Sequence, residues 1–490
     1  MTKINKLLIA NRGEISSRIQ KTCQRLGIAT VAVYSEADAN ATFVLSANER
    51  YCIGKPEPHL SYLNQAAIIS ACKQSGAQAV HPGYGFLSEN SSFAKALEEN
   101  GILFLGPRAS SIDLMGDKIR SREAMSKAGV PVVPGFSSDS KDPEFFLKEA
   151  KKIGFPVMIK ATAGGGGKGM RKVDKEEDFI PFFEAAVREA EKAFGNGLVF
   201  LEKYISNPRH IEFQIFGDSH GNVIHLHERD CSIQRRHQKV LEETPAPNFP
   251  REWKEKMATY AILAGQSIQY LGAGTVEFIL GEDGSFYFLE MNTRLQVEHP
   301  ITEMVTGLDL VELQIRIAEG ESIPNPLLEL DGIPQNGHAI EVRVYAEDPS
   351  NGFLPSIGKI EYMKCPSARG IRLDTGVDTG SEVSIYYDPM IGKLIAHAED
   401  RDTCRKKLLQ ALRKFVIFGP TTNISFLQNI LQEPEFIEGR ATTHFLEGKG
   451  HLTLVEESIQ MESLSWMFQL SQIPIESESI WRAVDNAFQI

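Results

Sequence analysis

Two carboxylates and a carboxamide interrupt a pair of apolar segments near the middle of the chain. Residues 275–280 and 286–292 have the character of two strands joined by a glycine-containing turn, and folding about position 283 sets Glu277 near Glu290. Asn292 is two residues beyond Glu290, so their side chains share one face. Acids that converge within apolar strands repel unless a cation separates them, and hard oxygen ligands suit Mg²⁺ or Mn²⁺ completed by phosphate oxygens. The alternative is an exposed strand face with ordinary acids.

Three polar residues follow this hairpin at alternate positions. Arg294, Gln296 and Glu298 alternate with Leu295 and Val297, so an extended backbone would point all three to one side. An arginine in this position suits a small oxyanion, and Glu298 is a candidate to accept its proton. The same spacing fits a solvent-facing strand edge equally well.

A run of four glycines at residues 164–167 is followed by Lys168. Successive glycines let the backbone approach an anion and turn several N–H groups toward it. The run is not a Walker A loop, because Thr162 stands where that motif has its first glycine and Gly169 where it has Ser or Thr. We expect a lid that closes over phosphates, with Lys160 reaching a phosphate from the preceding strand. The alternatives are a flexible surface hairpin and a solvated edge charge.

A locally basic segment lies at residues 228–239 of an otherwise acidic protein. Its cations are Arg229, Arg235, Arg236 and Lys239. The segment has no aromatic residue on which a base would stack, so a nucleic-acid site is disfavoured. Cys231 has no neighbouring base that would make it a nucleophile, and we expect a buried thiol.

The composition is that of an ordinary globular protein. The 490 residues are 42% hydrophobic and 24% charged, which suits about three domains and excludes extensive disorder. A net charge of −12 disfavours nucleic acid as a partner, although a locally basic site for an anion remains compatible with it. Six scattered cysteines predict reduced, buried thiols in a cytosolic-type compartment. The apolar runs are too short for a secretory signal or a membrane span, so we expect a cytoplasmic protein, or a mitochondrial matrix protein if the chain is processed.

The elements that must position these residues follow from the hydrophobic pattern. Apolar strands at 6–10, 30–34, 77–80 and 103–105 alternate with helical segments, which predicts a parallel sheet covered by helices. The first turn lacks G-x-G-x-x-G, so NAD binding is disfavoured. A strand at 155–160 leads into the glycine run, and short strands and a helix follow beyond position 337.

Six segments, in order along the chain, resemble the motifs of one family. They are LLIANRGEI, HPGYGFLSEN, KATAGGGGKGM, ERDCSIQRRHQK, FLEMNTRLQVEHPITE and YYDPMIGKLI. They resemble the biotin carboxylase component of biotin-dependent acyl-CoA carboxylases, an ATP-grasp family, over residues 6–446. The segments FLEMNTR and PRHIEFQIFGD resemble acyl-CoA carboxylases more closely than pyruvate carboxylase.

The resemblance implies an architecture that combines α/β and α+β domains, the biotin carboxylase fold. It implies a Rossmann-like N-terminal domain at 1–117 and an ATP-grasp domain at 118–330 with a mobile lid at about 132–204. A mixed α/β C-terminal domain follows at 331–446. Residues 447–490 are expected to be a tail or the start of a subunit-bridging region.

The resemblance also implies which residues bind ATP and its metal ion. Residues 202–204 form the adenine hinge between the apolar walls Met170 and Leu280, and His237 is on the ribose side. The implied ATP-binding residues are Lys118, Lys160, Gly165, Gly166, Gly167, Met170, Glu202, Lys203, Tyr204, His210, Gln234, His237 and Leu280. The implied metal ligands are Glu277, Glu290 and Asn292, which agrees with the hairpin pattern.

The same resemblance implies the bicarbonate and biotin sites. Glu298 matches the general base and Arg343 the arginine that stabilises the biotin enolate, and Lys239 and Arg294 complete the catalytic set. The implied substrate-binding residues are Tyr84, Lys239, Arg294, Gln296, Val297, Glu298 and Arg343.

The activity implied is ATP- and bicarbonate-dependent carboxylation of biotin through carboxyphosphate, the first half-reaction of an acyl-CoA carboxylase. The only Met-Lys pair, at 363–364, lies in a strand-like run, so we expect biotin to arrive on a separate carrier domain or protein. A carboxyltransferase subunit and a homodimer are the other expected partners, without nucleic acid or membrane. The alternatives are a pyruvate carboxylase-like enzyme, another ATP-grasp ligase of the carboxylate–amine or carbamoyl-phosphate type, and a silent scaffold subunit.

Overall fold

The computed structural model describes residues 3–161, 170–194, 197–236, 238–329 and 332–454. Gly165, Gly166, Gly167 and His237 lie outside these ranges, as does most of the predicted tail. Among the described helices, none has the length and apolar character that crossing a bilayer requires.

The chain begins with a five-stranded parallel sheet, as predicted from the alternation of strands and helices. In spatial order its strands are Glu49–Gly54, Ala29–Ser35, Lys6–Ile9, Ala79–His81 and Leu103–Phe104. The connecting helices include Gly13–Leu26, Gln65–Ser75, Ser91–Glu99 and Ala109–Gly116. Ile15, Ile19 and Cys23 recur at four-residue intervals on the first helix and are buried. That helix ends at Gly27, whose φ of 71° lies in the left-handed region.

A smaller antiparallel sheet forms the described part of the predicted lid, and we call it the lid sheet. Its strands, in spatial order, are Gly135–Ser137, Val199–Lys203, Val157–Ala161 and Met170–Val173. Helices Pro143–Ile153 and Phe179–Phe194 cover one face, and Phe146, Phe179 and Phe183 are buried there. Because the side chains of a strand alternate, Ile159 points into this core while Lys160 points to the opposite face.

An eight-stranded antiparallel sheet, called here the central sheet, is the platform for the predicted site. Its strands, in spatial order, are Phe286–Asn292, Gly272–Leu280, Arg209–Gly217, Val223–Arg235, Gln238–Thr244, His338–Tyr345, Met390–Ala398 and Ile371–Thr375. Its covering helices include Arg251–Ser267, His299–Thr306, Leu310–Ala318 and Arg401–Lys414. The sheet continues from the ATP-grasp region into the C-terminal region, because Gln238–Thr244 pairs with His338–Tyr345.

The N-terminal sheet is fixed to the central sheet by buried contacts of helix Gly13–Leu26 with helices His299–Thr306 and Leu310–Ala318. Ile19 and Cys23 belong to the same apolar cluster as Leu310. Arg18 on the first helix lies 2.7 Å from Glu303, and both side chains are buried. Residues from the two regions can therefore face one cavity in a fixed relation.

The prediction that all six cysteines are buried is wrong at two positions. All six are unpaired, and Cys23, Cys72, Cys231 and Cys404 are buried. Cys52 is exposed on the edge strand Glu49–Gly54 of the parallel sheet, and Cys365 is exposed in the loop that follows strand Tyr362–Lys364. Wide spacing of cysteines argues against disulfides but carries no information on which face each occupies.

Candidate active site

The carboxylate hairpin folds in the predicted register. Gly272–Leu280 and Phe286–Asn292 pair antiparallel, with Glu277 opposite Glu290 and the ladder shifted by an irregularity directly after Glu277. The Asn292 side-chain amide donates to Glu277 Oε1 at 2.8 Å. Glu277, Glu290 and Asn292 thus meet at one end of the central sheet, as the spacing predicts.

Glu277 is surrounded by hydrogen-bond donors. Its Oε1 accepts from Lys239 Nζ at 2.9 Å and from Gln296 Nε2 at 3.2 Å, and its Oε2 lies 3.0 Å from His210 Nε2. Burial raises the pKa of Glu277, but Lys239 and His210 outweigh it and hold that pKa well below its ordinary value. By contrast, burial and the adjacent Glu277 carboxylate raise the pKa of Glu290. Negative charge at Glu290 is therefore undercompensated, which is the condition that a divalent cation would relieve.

Glu298 is completely buried and lies between two cations. Its Oε1 accepts from Lys239 Nζ at 2.7 Å and its Oε2 from Arg343 Nη2 at 3.0 Å. Burial raises the pKa of Glu298, but Lys239, Arg343 and Arg229 outweigh it and hold that pKa well below its ordinary value. The carboxylate is thus ionised and able to accept a proton.

The segment that carries Glu298 is not the extended strand that its alternation predicts. The chain bends at Arg294 and turns at residues 297–298, and Glu298 is the N-cap of helix His299–Thr306 with Pro300 in its first turn. Proline fits the start of a helix, so the helix begins where the alternating pattern ends. The three side chains still reach one site, because Arg294 donates to Gln296 at 3.1 Å and Gln296 donates to Glu277.

Several charged groups that support the site escaped the sequence interpretation. Arg229, predicted as part of a basic segment, is fully buried and donates to Glu212, Gln214 and Thr302. Glu212 in turn contacts Lys239. The available signal was the alternation of Glu212 and Gln214 with apolar residues, the same signal that identified Glu277.

Two further residues of this basic segment, Cys231 and Arg235, are enclosed by the protein. Cys231 is buried, as predicted, and burial raises the pKa of its thiol well above the ordinary value. Arg235 lies 2.8 Å from Glu347 and stacks on the ring of Phe353, so its charge is used inside the protein. Arg229, Arg235 and Lys239 are thus each paired with a glutamate inside the protein.

The described lysines that are predicted to bind ATP are less tightly paired with acids than the cations around Glu298. Lys160 contacts Glu202, and its side chain is 31% exposed. Lys203 Nζ donates to the carbonyl of Gly154 at 2.8 Å, which ties the hinge strand to the loop before the neighbouring strand. Lys118 is exposed at the first position of helix Lys118–Lys127.

The other nucleotide candidates are held by the central sheet or by the lid sheet. His210 Nδ1 lies 2.6 Å from Gln234 Nε2, so these two residues of the predicted nucleotide site are in contact. Leu280 is buried, and Lys172 Nζ lies 4.5 Å from the ring centroid of Tyr204. Met170 begins the outer strand of the lid sheet.

A cavity of about 620 Å³ connects these groups to the N-terminal and C-terminal regions. The predicted site residues that line it are Tyr84, His210, Lys239, Glu277, Glu290, Asn292, Arg294, Gln296, Val297 and Arg343. Tyr84 comes from the N-terminal region, and its buried hydroxyl has no hydrogen-bond partner among the described residues. Carboxylates for a metal ion and cations for an oxyanion therefore line one cavity that can bind anionic substrates. The buried base Glu298 is not exposed to this cavity but contacts Lys239 and Arg343, which line it.

Three family models match successive parts of the chain. They are described as biotin carboxylase, N-terminal domain, over residues 3–112; carbamoyl-phosphate synthase L chain, ATP binding domain, over 117–325; and biotin carboxylase C-terminal domain, over 341–448.

Full-length relatives support the same grouping. The chain is 52% identical over 445 residues to a biotin carboxylase of Nostoc sp., covering 91% of this chain and 99% of that protein. It is also 52% identical over 446 residues to the mitochondrial methylcrotonoyl-CoA carboxylase subunit alpha of Glycine max, covering 91% of this chain and 61% of that subunit. The chain thus spans about three fifths of the length of these curated alpha subunits.

A solved structure matches the fold across the described regions. The biotin carboxylase domain of Hydrogenobacter thermophilus 2-oxoglutarate carboxylase, a dimer in complex with MgADP, ADP and bicarbonate, superposes with a TM-score of 0.83 at 48% identity. The match covers 93% of this chain and 100% of that one. The predicted fold and the prediction of an ATP-dependent ligase are confirmed: this chain belongs to the biotin carboxylase family.

Proposed function

We propose that this chain is the biotin carboxylase part of an acyl-CoA carboxylase and transfers a carboxyl group from bicarbonate to carrier-bound biotin at the expense of ATP. The observation that carries the proposal is Glu298, a buried and ionised carboxylate between Lys239 and Arg343 beside the carboxylate hairpin. An acyl-CoA carboxylase is favoured because methylcrotonoyl-CoA and propionyl-CoA carboxylase alpha subunits are among the relatives.

The first step uses Glu298 as a base toward bicarbonate. Bicarbonate bound by Arg294, Gln296 and the Val297 backbone loses its proton to Glu298. The resulting oxygen attacks the γ-phosphorus of ATP, the bond to the β-phosphate oxygen breaks, and carboxyphosphate and ADP form. The cations around the site stabilise the charge that develops on the transferring group.

The depressed pKa of Glu298 has a consequence for this step. A carboxylate held by two cations is always ionised, but it is a weak base as long as both cations remain bound to it. Bicarbonate and the phosphates of ATP are anions that compete for Lys239, and bicarbonate also competes for Arg343. Substrate binding therefore raises the proton affinity of Glu298 at the moment when a base is needed.

The second half of the reaction uses Arg343. Carboxyphosphate divides into CO₂ and phosphate, and the phosphate removes the N1′ proton of biotin. The biotin enolate then forms a bond to the carbon of CO₂. The guanidinium of Arg343, which Glu242 and Glu298 hold in place, provides the donors for the enolate oxygen, with Tyr84 on the opposite wall of the cavity.

A divalent ion fits the carboxylate hairpin. Glu277, Glu290 and Asn292 would hold Mg²⁺ or Mn²⁺, and the raised pKa of Glu290 indicates that a positive charge is wanted there. Bound there, the ion would neutralise charge on the phosphates of ATP. His210, beside Glu277, is placed to contact the nucleotide.

The expected partners are a biotin carrier domain or protein, a carboxyltransferase subunit and a second copy of this chain. The dimeric solved relative supports the last of these. The cytoplasm is the predicted location, and the mitochondrial alpha subunits make the mitochondrial matrix the alternative. Cell fractionation with an antibody to this chain distinguishes the two compartments.

The proposal is tested by measuring ADP release by the purified chain with Mg²⁺. We expect ATP hydrolysis that depends on bicarbonate and is stimulated by free biotin. Stimulation by ammonia or an amine in place of biotin would favour a different ATP-grasp ligase. ATP binding without any bicarbonate-dependent hydrolysis would indicate a silent scaffold subunit.

A further inference from the structure

A further buried cation, Lys393, lies beside the site, and the mechanism above does not use it. Lys393 is in strand Met390–Ala398, and none of its side chain is exposed. It is directly opposite Arg343 in the adjacent strand. Lysine is almost never fully buried without partners, because removing an ammonium from water is costly.

The partners of Lys393 come from other parts of the molecule. Its Nζ donates to the backbone carbonyl of Val297 at 2.8 Å. It also lies 3.3 Å from Glu14 on the first helix and 5.8 Å from the ring centroid of Tyr84. One ammonium of the C-terminal region therefore contacts both the N-terminal region and the turn that carries the predicted bicarbonate site.

The contact with Val297 fixes the orientation of the peptide unit that joins Val297 to Glu298, the proposed base. The carbonyl of Val297 and the N–H of Glu298 belong to the same planar peptide unit, so holding the carbonyl sets the orientation of both residues. Val297 precedes Glu298, the N-cap of helix His299–Thr306, so its carbonyl lies outside the hydrogen bonds of that helix. A charged donor at 2.8 Å supplies its partner.

The ion pair between Lys393 and Glu14 is incomplete. Both carboxylate oxygens of Glu14 are buried, and neither has a hydrogen-bond partner among the described residues. Burial raises the pKa of Glu14 to about 7 despite the attraction of Lys393, while Asp374 and Arg372 act on it from the neighbouring strand. The best-formed contact of the ammonium is thus the Val297 carbonyl.

We propose that Lys393 is a positioning residue that holds the turn at Val297 in the orientation that binds bicarbonate, and that it couples this turn to the N-terminal region through Glu14. The inference rests on the proposed function only in naming bicarbonate as the anion. Lys393 touches the turn and not the reacting atoms.

The test compares Lys393→Met, which keeps the length and loses the donor, with Lys393→Arg, which keeps the charge. Bicarbonate affinity is measured by titration calorimetry in the presence of a non-hydrolysable ATP analogue, and the affinity for that analogue is measured separately. We expect Lys393→Met to bind bicarbonate about tenfold more weakly with unchanged affinity for the analogue, and Lys393→Arg to recover most of the loss. Lys406→Met, an exposed lysine of helix Arg401–Lys414, is the matched control.

A purely structural role would lower the melting temperature of Lys393→Met and leave its bicarbonate affinity as in the wild type, which would overturn the proposal. If that variant does not fold, Glu14→Gln takes its place, with an expected loss of about threefold and an unchanged value as the contrary result. Bicarbonate binding by a wild type that shows no turnover would refute the proposed function and leave this inference intact. A wild type that does not bind bicarbonate would overturn both.

Discussion

The central sheet and the lid sheet differ in how deeply their charged side chains are buried. At the central sheet, Glu298 and Glu212 are fully buried and both contact Lys239. At the lid sheet, Lys160 is partly exposed with Glu202 as its partner. Lys118, the first residue of helix Lys118–Lys127, is also exposed. The difference indicates that the groups proposed to act on bicarbonate are preorganised by the fold, whereas the cations proposed to bind ATP would be completed by the phosphates themselves.

The largest effect is expected for Glu298→Gln, which removes the base and keeps the size of the side chain. Bicarbonate-dependent ATP hydrolysis should fall by about 10²–10⁴-fold, because general base catalysis is lost. The same assay on Glu361→Gln, an exposed glutamate paired with Lys359, should match the wild type. Full activity of Glu298→Gln with bicarbonate and biotin would remove Glu298 from the mechanism.

Arg343→Ala is expected to have the next largest effect. Biotin-dependent turnover should fall by about 10²–10³-fold, because a charged donor to the enolate oxygen is lost. The KM for ATP should stay within about twofold, since Arg343 contacts Glu242 and Glu298 and not the lid sheet. An equal loss of ATP affinity would show that the two regions are not separate in function.

A third prediction concerns the contribution of the buried, paired Glu243 to the free energy of unfolding. Glu243 accepts from His338 at 2.9 Å and from Arg401 at 2.7 Å. Burial raises the pKa of Glu243, but these two partners outweigh it and lower that pKa from 4.5 to about 2. A lowered pKa in the folded state stabilises the protein above the unfolded-state pKa, and this contribution is lost as the pH falls from 4.5 toward 2.

Glu243→Gln should therefore lower the free energy of unfolding by up to about 3 kcal/mol at pH 6. In urea titrations the difference between wild type and variant should shrink between pH 4.5 and pH 3. A difference that stays constant over this range would contradict the stated role of ionised Glu243.

The smallest effect is expected at the lid sheet. Lys160→Met should raise the KM for ATP by about tenfold, because one charge-assisted contact with a phosphate is lost. Its melting temperature should stay at the wild-type value, since the side chain is partly exposed and its ion pair contributes little to folding. A large loss of stability without a change in the KM would make Lys160 a structural residue and reverse the comparison.

Local pattern accounts for the parts of the site that lie close together in the sequence. The pairing of Glu277 with Glu290 was predictable because the turn and the alternation of the two strands determine it. The contact of Arg229 with Glu212 also crosses a hairpin, but Arg229 stands in a run of cations that indicates a basic segment and not a buried ion pair. The extended form predicted for residues 294–298 was wrong because the helix that begins at His299 imposes a turn.

The resemblance to the biotin carboxylase family predicted site residues that are too far apart in the sequence for a local pattern to connect. Arg343 is far from Glu298 in the sequence, and only the crossing of the central sheet into the C-terminal region brings the two within 3.0 Å. Conversely, Lys393 lies in the YYDPMIGKLI segment, but that motif assigns it no role and the local pattern shows only one charged residue in an apolar strand. Its burial and its contact with Val297 become visible only when three regions are assembled.

The central claim is that bicarbonate, deprotonated at Glu298, attacks the γ-phosphorus of ATP. It is tested most directly by supplying ¹⁸O-labelled bicarbonate with ATP, Mg²⁺ and biotin and analysing the released phosphate by mass spectrometry. The account predicts that each phosphate formed carries a labelled oxygen from bicarbonate, and that the labelled product is nearly absent with Glu298→Gln. Phosphate that forms at the wild-type rate without label would contradict it, because water and not bicarbonate would then be the nucleophile.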